Sequence, residues 1–93
     1  MEFIEKTNKQ IVTRVFEVEN NEYRYEINVS DSCIEMNIYP KRKVELEDGS
    51  IIEEKYLYPT GSIILKNGKR RMLIEGDIDK HIAVFDEFLN TLQ

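Results

Sequence analysis

The chain has 93 residues, the length of one domain. With 41% apolar and 33% charged residues it has apolar surface enough for a core, which excludes intrinsic disorder. Its formal net charge of -5 argues against a generally basic binder of nucleic acid or membrane surfaces. The longest apolar run, Ile82-Ala83-Val84-Phe85, falls far short of the roughly 18 residues that span a bilayer, so no membrane association is expected. Met1-Glu2-Phe3-Ile4-Glu5-Lys6 lacks the basic start and apolar stretch of a secretory leader, and Cys33 has no second cysteine to pair with. A reducing, cytoplasmic location is the expectation.

Eighteen Ile and Val residues stand against seven Leu and Ala, with nine Tyr and Phe besides. β-Branched and aromatic side chains suit a pleated, half-buried surface, so the expected fold is mainly β. Residues 1–10 are largely polar and read as a loose arm, leaving residues 11–93 as the folded domain. From Ile11 to Val29 two strand-like runs flank Asn20-Asn21, a pair that tolerates the positive φ of a tight hairpin. A two-residue loop there pairs Val18 with Tyr23, Phe16 with Tyr25, Arg14 with Ile27 and Val12 with Val29. Arg14 is then the one polar residue on an apolar face. Glu17 opposite Arg24 and Thr13 opposite Asn28 take the other face.

Ser30-Asp31-Ser32 reads as a turn. Cys33 to Tyr39 then alternates, with Ile34, Met36 and Ile38 on one face, and a strand ends at Pro40. Val44 to Glu47, Asp48-Gly49 and Ile51-Ile52 form a second hairpin signal, with a strand favoured through Glu53-Glu54-Lys55 before Pro59 and Gly61 close the segment. Ser62 to Lys66, Asn67-Gly68 and Lys69 to Glu75 give the best two-residue turn in the chain, gathering Ile63, Leu65, Met72 and Ile74 with Arg70 at the end of their row. Gly76 ends that strand. Asp77 has the chemistry of an N-cap for a helix from Ile78 to about Leu92, and Asp79 complements its dipole. At 100° per residue His81, Val84, Phe85, Phe88, Ile78, Ile82, Leu89 and Leu92 fall in one arc of about 160°. That face must cover the sheet.

Up to seven short antiparallel strands followed by one helix resemble, in order and length, the pleckstrin-homology-like architecture. The resemblance spans nearly the whole chain as element order, without a specific motif. It implies a curved sheet or partly open barrel capped by the C-terminal helix. That family's buried helix tryptophan is replaced here by Phe85 or Phe88, and its basic first hairpin by Glu19-Asn20-Asn21-Glu22, a departure that speaks against phosphoinositide binding. Merging the strands around Pro59 gives instead four or five strands with a helix across one face, similar to several small nucleic-acid-binding folds. Fold does not decide function in either case.

No catalytic constellation emerges. His81 lies within the apolar arc and has no second histidine beside it, so it reads as a partly buried helix residue rather than a base or metal ligand. Cys33 reads as a quiet, half-buried thiol. Glu75-Gly76-Asp77-Ile78-Asp79 lacks calcium-loop spacing and is explained by a strand end and an N-cap. Neither a phosphate-binding glycine loop nor a zinc-ligand pair occurs, so no cofactor, metal or catalytic residue is assigned.

Charge carries the remaining information. Six of the thirteen basic residues lie in two triplets, Lys41-Arg42-Lys43 and Lys69-Arg70-Arg71. Strand alternation sends Lys69 and Arg71 outward with Lys66. If the triplets converge, Lys41, Arg42, Lys43, Lys66, Lys69 and Arg71 form a phosphate-binding patch beside Tyr58 or Tyr39 as base-stacking platforms. Otherwise they are edge charges that block strand-to-strand aggregation. Nine acidic residues, Glu17, Glu19, Glu22, Glu26, Glu45, Glu47, Asp48, Glu53 and Glu54, fall mostly on expected outer faces, suited to a basic protein surface. The functional expectation is a small, acidic, non-enzymatic interaction protein binding a protein partner. It has the character of an inhibitor or modulator from a bacterium or mobile element, whose low-GC genome the Ile-, Lys- and Asn-rich composition suits. The alternative is a nucleic-acid-binding module using the two triplets, and a third possibility is self-association through a sheet edge.

Overall fold

β-Branched and aromatic residues at alternating positions build the main sheet. The computed structural model describes residues 1–6 and 13–92. Among them the strands are β1 Ile4–Lys6, β2 Arg14–Glu19, β3 Tyr23–Val29, β4 Cys33–Pro40, β5 Arg42–Glu45, β6 Ile51–Glu54, β7 Gly61–Lys66 and β8 Lys69–Leu73, followed by helix α1, Ile78–Thr91. Six strands form an open antiparallel sheet in the order β1-β2-β3-β4-β7-β8. β5 and β6 pair only with each other, so the meander is interrupted by a separate two-stranded arm. The fold is mainly β, with α1 against one face of the main sheet.

The first hairpin departs from the expected register while keeping its faces. Glu19 pairs with Arg24, Val18 with Tyr25, Phe16 with Ile27 and Arg14 with Val29. The cause is Asn20, whose side-chain Oδ1 accepts the backbone N–H groups of Glu22 and Tyr23, each at 2.8 Å. That side-chain-closed turn needs no positive φ and moves the loop one residue along the chain. Because the resulting slip is two residues, Phe16, Val18, Tyr25 and Ile27 remain on the buried face. The expected Val12–Val29 pair lies outside the described residues. Asn67-Gly68, by contrast, forms the expected turn, with φ of 52° and 74° at its two positions.

Part of the expected loose arm is an edge strand. β1 pairs with Val15 to Glu17 of β2, and Arg14 donates two hydrogen bonds to the Glu5 carboxylate at 2.8 and 2.9 Å. Phe3 packs edge-on against Phe88 with ring centroids 5.2 Å apart. An aromatic contact of this kind adds about 0.5–1.5 kcal/mol beyond its area to the ladder and the Arg14–Glu5 bonds that hold the segment. Residues 7–10 lie outside the described residues.

The core joins Phe16, Val18, Tyr25, Ile27, Met36, Ile38 and Ile63 of the sheet to Val84, Phe85 and Phe88 of the helix. Each such side chain contributes about 1.5–3 kcal/mol of transfer free energy. Phe88 also meets Phe16 edge-on at 5.0 Å. Ile78 and Leu92, which belong to the apolar arc, overhang the sheet and stay exposed. Arg70 closes the β8 side. Its guanidinium lies 5.1 Å above the Phe85 ring and donates to Asp86 at 2.8 Å, so its stem covers apolar surface while its head stays wet.

The start of the helix also departs from the sequence reading. Asp77 sits in the left-handed region, with φ of 52°, and its side chain makes no cap hydrogen bond. Its carboxylate instead accepts the Tyr23 hydroxyl from the facing strand. The Asp77 backbone carbonyl still starts the helix by accepting the His81 N–H at 3.1 Å.

Candidate interaction surface

The arm leaves the sheet between β4 and β7. Its base is fixed by the Lys41 N–H to the Glu22 carbonyl at 2.8 Å and the Thr60 N–H to the Ile38 carbonyl at 2.9 Å. At its tip Gly49 takes a φ of 84°. The Gly49 N–H donates to the Leu46 carbonyl at 3.0 Å and the Leu46 N–H to the Ser50 carbonyl at 2.8 Å, giving a three-residue loop with a glycine bulge. Register places Val44 opposite Ile52 and Glu45 opposite Ile51, so Val44, Leu46 and Ile52 share one face and Ile51 the other. Among the described residues no second layer covers either face. Ile51 is 67% exposed, and in the return segment Leu57 and Tyr58 are 86% and 80% exposed.

Beside the arm lies the uncovered face of the main sheet, whose carboxylates gather on β2, β3 and β4 while its β7–β8 end is basic. Glu17 and Glu26 stand directly opposite each other, a like-charge juxtaposition that costs stability, and Glu35 shares this face. Arg24 lies 3.9 Å from Glu26 and stacks over the Tyr39 ring at 4.2 Å. Burial raises the Tyr39 pKa, and the charges of Glu26 and Glu35 push it the same way. Between this face and the arm runs a groove of about 370 Å³, lined among others by Glu17, Glu19, Tyr39, Glu53, Glu54 and Tyr56.

The basic residues singled out from the sequence fall into two separate groups. Lys41, Arg42 and Lys43 lie at the arm base. There Lys41 Nζ is 3.0 Å from Glu19 and Arg42 Nε is 3.8 Å from Glu54, while Lys43 is opposite Glu53. Lys66, Lys69 and Arg71 lie on the uncovered face of the β7–β8 hairpin, with Lys66 opposite Cys33. Pro40, at the far end of β4, precedes Lys41, so the two groups are separated by the length of that strand, roughly 25 Å. Tyr58 sits near the arm base and is exposed, whereas Tyr39 is half-buried beneath Arg24. Sequence reasoning passed over Leu46, Ile51, Ile52 and Leu57. The available signal was the adjacent pair Ile51-Ile52, which breaks the alternation of a half-buried strand.

A second polar cluster sits inside the fold. His81 is only 2% exposed, and its Nδ1 lies 2.8 Å from the Tyr25 hydroxyl, while its ring meets Tyr23 edge-on at 4.5 Å. Burial lowers the His81 pKa, opposed by the charge of Asp77 and a hydrogen bond to the Gly76 backbone. Which of Nδ1 and the Tyr25 hydroxyl donates is set by the imidazole tautomer. The Tyr23 phenol is pushed up to about 12 by its hydrogen bond to Asp77, and that bond holds the Asp77 carboxyl below its usual range. Desolvation pushes Tyr25 up to about 12. A cleft of about 200 Å³ reaches this cluster between Tyr23, Ile38, Thr60, Gly61, Ile74 and His81.

Among the described residues no three His, Cys, Asp or Glu side chains are placed to hold a metal ion, and no helix is long and apolar enough to cross a membrane. Cys33 is a free, half-buried thiol. No protein-family model, curated protein or solved structure matches the chain.

Proposed function

We propose that this chain is a small, acidic, non-enzymatic cytoplasmic interaction protein, acting as an inhibitor or modulator of a protein partner. The observation that carries the reading is the arm with its return segment, where Leu46, Leu57 and Tyr58 stand in solvent and contribute nothing to the core. Exposed apolar groups rimmed by charge mark interaction sites. The adjoining Glu17, Glu26 and Glu35 suit a partner surface with an apolar centre and a basic margin. Arg24 already stands 3.9 Å from Glu26, so a cationic side chain of the partner would be drawn to Glu17 opposite it.

The test is affinity capture from extract of the host cell, with and without nuclease, using the natural chain and a Leu46→Ser, Leu57→Ser, Tyr58→Ser variant. A stoichiometric protein retained despite nuclease and lost with the variant is the expected result. Retention abolished by nuclease and by Lys69→Ala with Arg71→Ala would favour nucleic acid, with the salt slope flattening by about one unit per lost phosphate contact. Saturable turnover of any substrate, lost in His81→Ala, would defeat the non-enzymatic reading.

A further inference from the structure

The ladders fix which backbone groups are left unpaired at the exposed strand edges. In the β7–β8 hairpin the two-residue turn makes Lys66 and Lys69 a hydrogen-bonded pair, followed by Ile64–Arg71 and Ser62–Leu73. The amide and carbonyl groups of Arg70 and Met72 therefore point away from the sheet. In the arm the Leu46–Ser50 bond makes Val44–Ile52 and Arg42–Glu54 the hydrogen-bonded pairs. The corresponding groups of Ile51 and Glu53 then point away from β5. Two edges thus present outward groups with the same two-residue spacing, and all residues of both strands are exposed.

Laid antiparallel, the two edges match in backbone phase and in side-chain chemistry. Ile51 meets Met72 and Glu53 meets Arg70 on the helix side. On the other face Ile52 lies opposite Arg71, with Leu73 on its diagonal, and Glu54 lies opposite Lys69 with Lys66 one strand further in. Arg70 is already held by Asp86 at 2.8 Å, so its fork is oriented before Glu53 arrives. Like-with-like pairing is poorer. Two β8 strands would bring together Lys69, Arg70 and Arg71 of both copies, and two β6 strands would bring together Glu53 and Glu54 of both.

We propose that β6 of one copy pairs antiparallel with the β8 edge of a second copy, and that the exchange is reciprocal, closing a two-fold dimer with two equivalent junctions. The exposed Ile51, Ile52, Met72 and Leu73 (67, 48, 45 and 75% exposed) are the apolar groups the junctions would cover. On this assignment the basic triplet of β8 is half of a charge code that admits β6 and rejects a second β8. The proposal does not depend on the partner reading above, which rests on Leu46, Leu57 and Tyr58.

The test uses purified protein alone. Sedimentation velocity from micromolar to millimolar concentration follows the natural chain, Glu54→Lys, Lys69→Glu, an equimolar mixture of those two variants, and Met72→Pro. The natural chain should show a concentration-dependent dimer. Each charge reversal should raise its dissociation constant by roughly tenfold. Mixing the two variants should restore association, because both junctions of the mixed dimer then regain opposite charges. Met72→Pro removes an outward amide and should abolish the dimer, with far-UV circular dichroism verifying the fold in every case. A monomer at all concentrations overturns the proposal. So does a dimer indifferent to the charge reversals, or a mixture that associates no better than its components.

Discussion

The buried Tyr25–His81 contact makes a stability prediction that can be worked through. Both residues are almost fully buried and their hydrogen bond is 2.8 Å long. Tyr25→Phe keeps the ring and removes the hydroxyl, leaving Nδ1 of a buried imidazole without a partner. An unsatisfied buried polar group costs about 1–3 kcal/mol, and in a domain this size each kcal/mol lowers Tm by about 4–8 °C. His81→Leu makes the reciprocal change, stranding the Tyr25 hydroxyl. It also deletes the edge contact with Tyr23, but that loss occurs on both sides of a double-mutant cycle and cancels. The double variant strands neither partner of this bond, so it should be more stable than the sum of the single losses requires, by about 1 kcal/mol or more. The assay is urea unfolding of all four proteins at pH 8, with equal m values as the condition for comparison. Losses that add to within about 0.5 kcal/mol would refute the claim that this bond is a coupled element of the core.

Three further outcomes follow from the same geometry. Because burial depresses the His81 pKa, its contribution to stability is fully present above the unfolded value of about 6.5 and is lost as pH falls through the folded value, by at most about 1.4 kcal/mol per pH unit; His81→Leu should remove this part of the acid slope in urea titrations. Tyr23 and Tyr25, both pushed up to about 12, should favour the folded state below pH 10 and lose that effect as pH rises toward 12, so with Tyr39, which burial also raises, three of the five tyrosines should ionise late in an ultraviolet titration. At Gly61 an added Cβ would lie 2.8 Å from the Leu73 carbonyl oxygen, so Gly61→Ala should separate β7 from β8 and cost about 1–3 kcal/mol, read as a lower urea midpoint.

Local chemistry was legible in the sequence wherever a single stretch decided the outcome. Asn67-Gly68 requires positive φ at both positions and found it, and the Ile34, Met36, Ile38 alternation gave the buried face of β4. Asn20 was harder because its side chain can replace the backbone in closing a turn, which shifts register without disturbing the faces. Asp77 was assigned as an N-cap on local grounds, yet its carboxylate is taken by Tyr23, 54 positions away. The same limit explains the basic residues. Whether Lys41 and Lys69 meet depends on β4 pairing with β7 across residues 41–60, a choice that no local pattern within the arm encodes. The candidate surface was obscured for the opposite reason, since β5 and β6 have the turn and charges of an ordinary meander hairpin and differ only in having, among the described residues, nothing packed behind them.

The way the arm joins the sheet has an evolutionary consequence. Ile38 and Gly61 are already paired neighbours, so residues 41–60 enter and leave the main sheet side by side, and in topology they are an insert in the turn between two adjacent strands. Chain closure depends so weakly on length, about 0.6 kcal/mol per doubling, that lengthening, trimming or replacing such an insert hardly taxes the rest of the fold. Its sequence is therefore free to diverge at the pace set by whatever it meets, while the sheet and helix beneath stay constrained by their packing. Related chains should share the cadence of β2, β3, β4, β7 and α1 and differ most between Lys41 and Thr60.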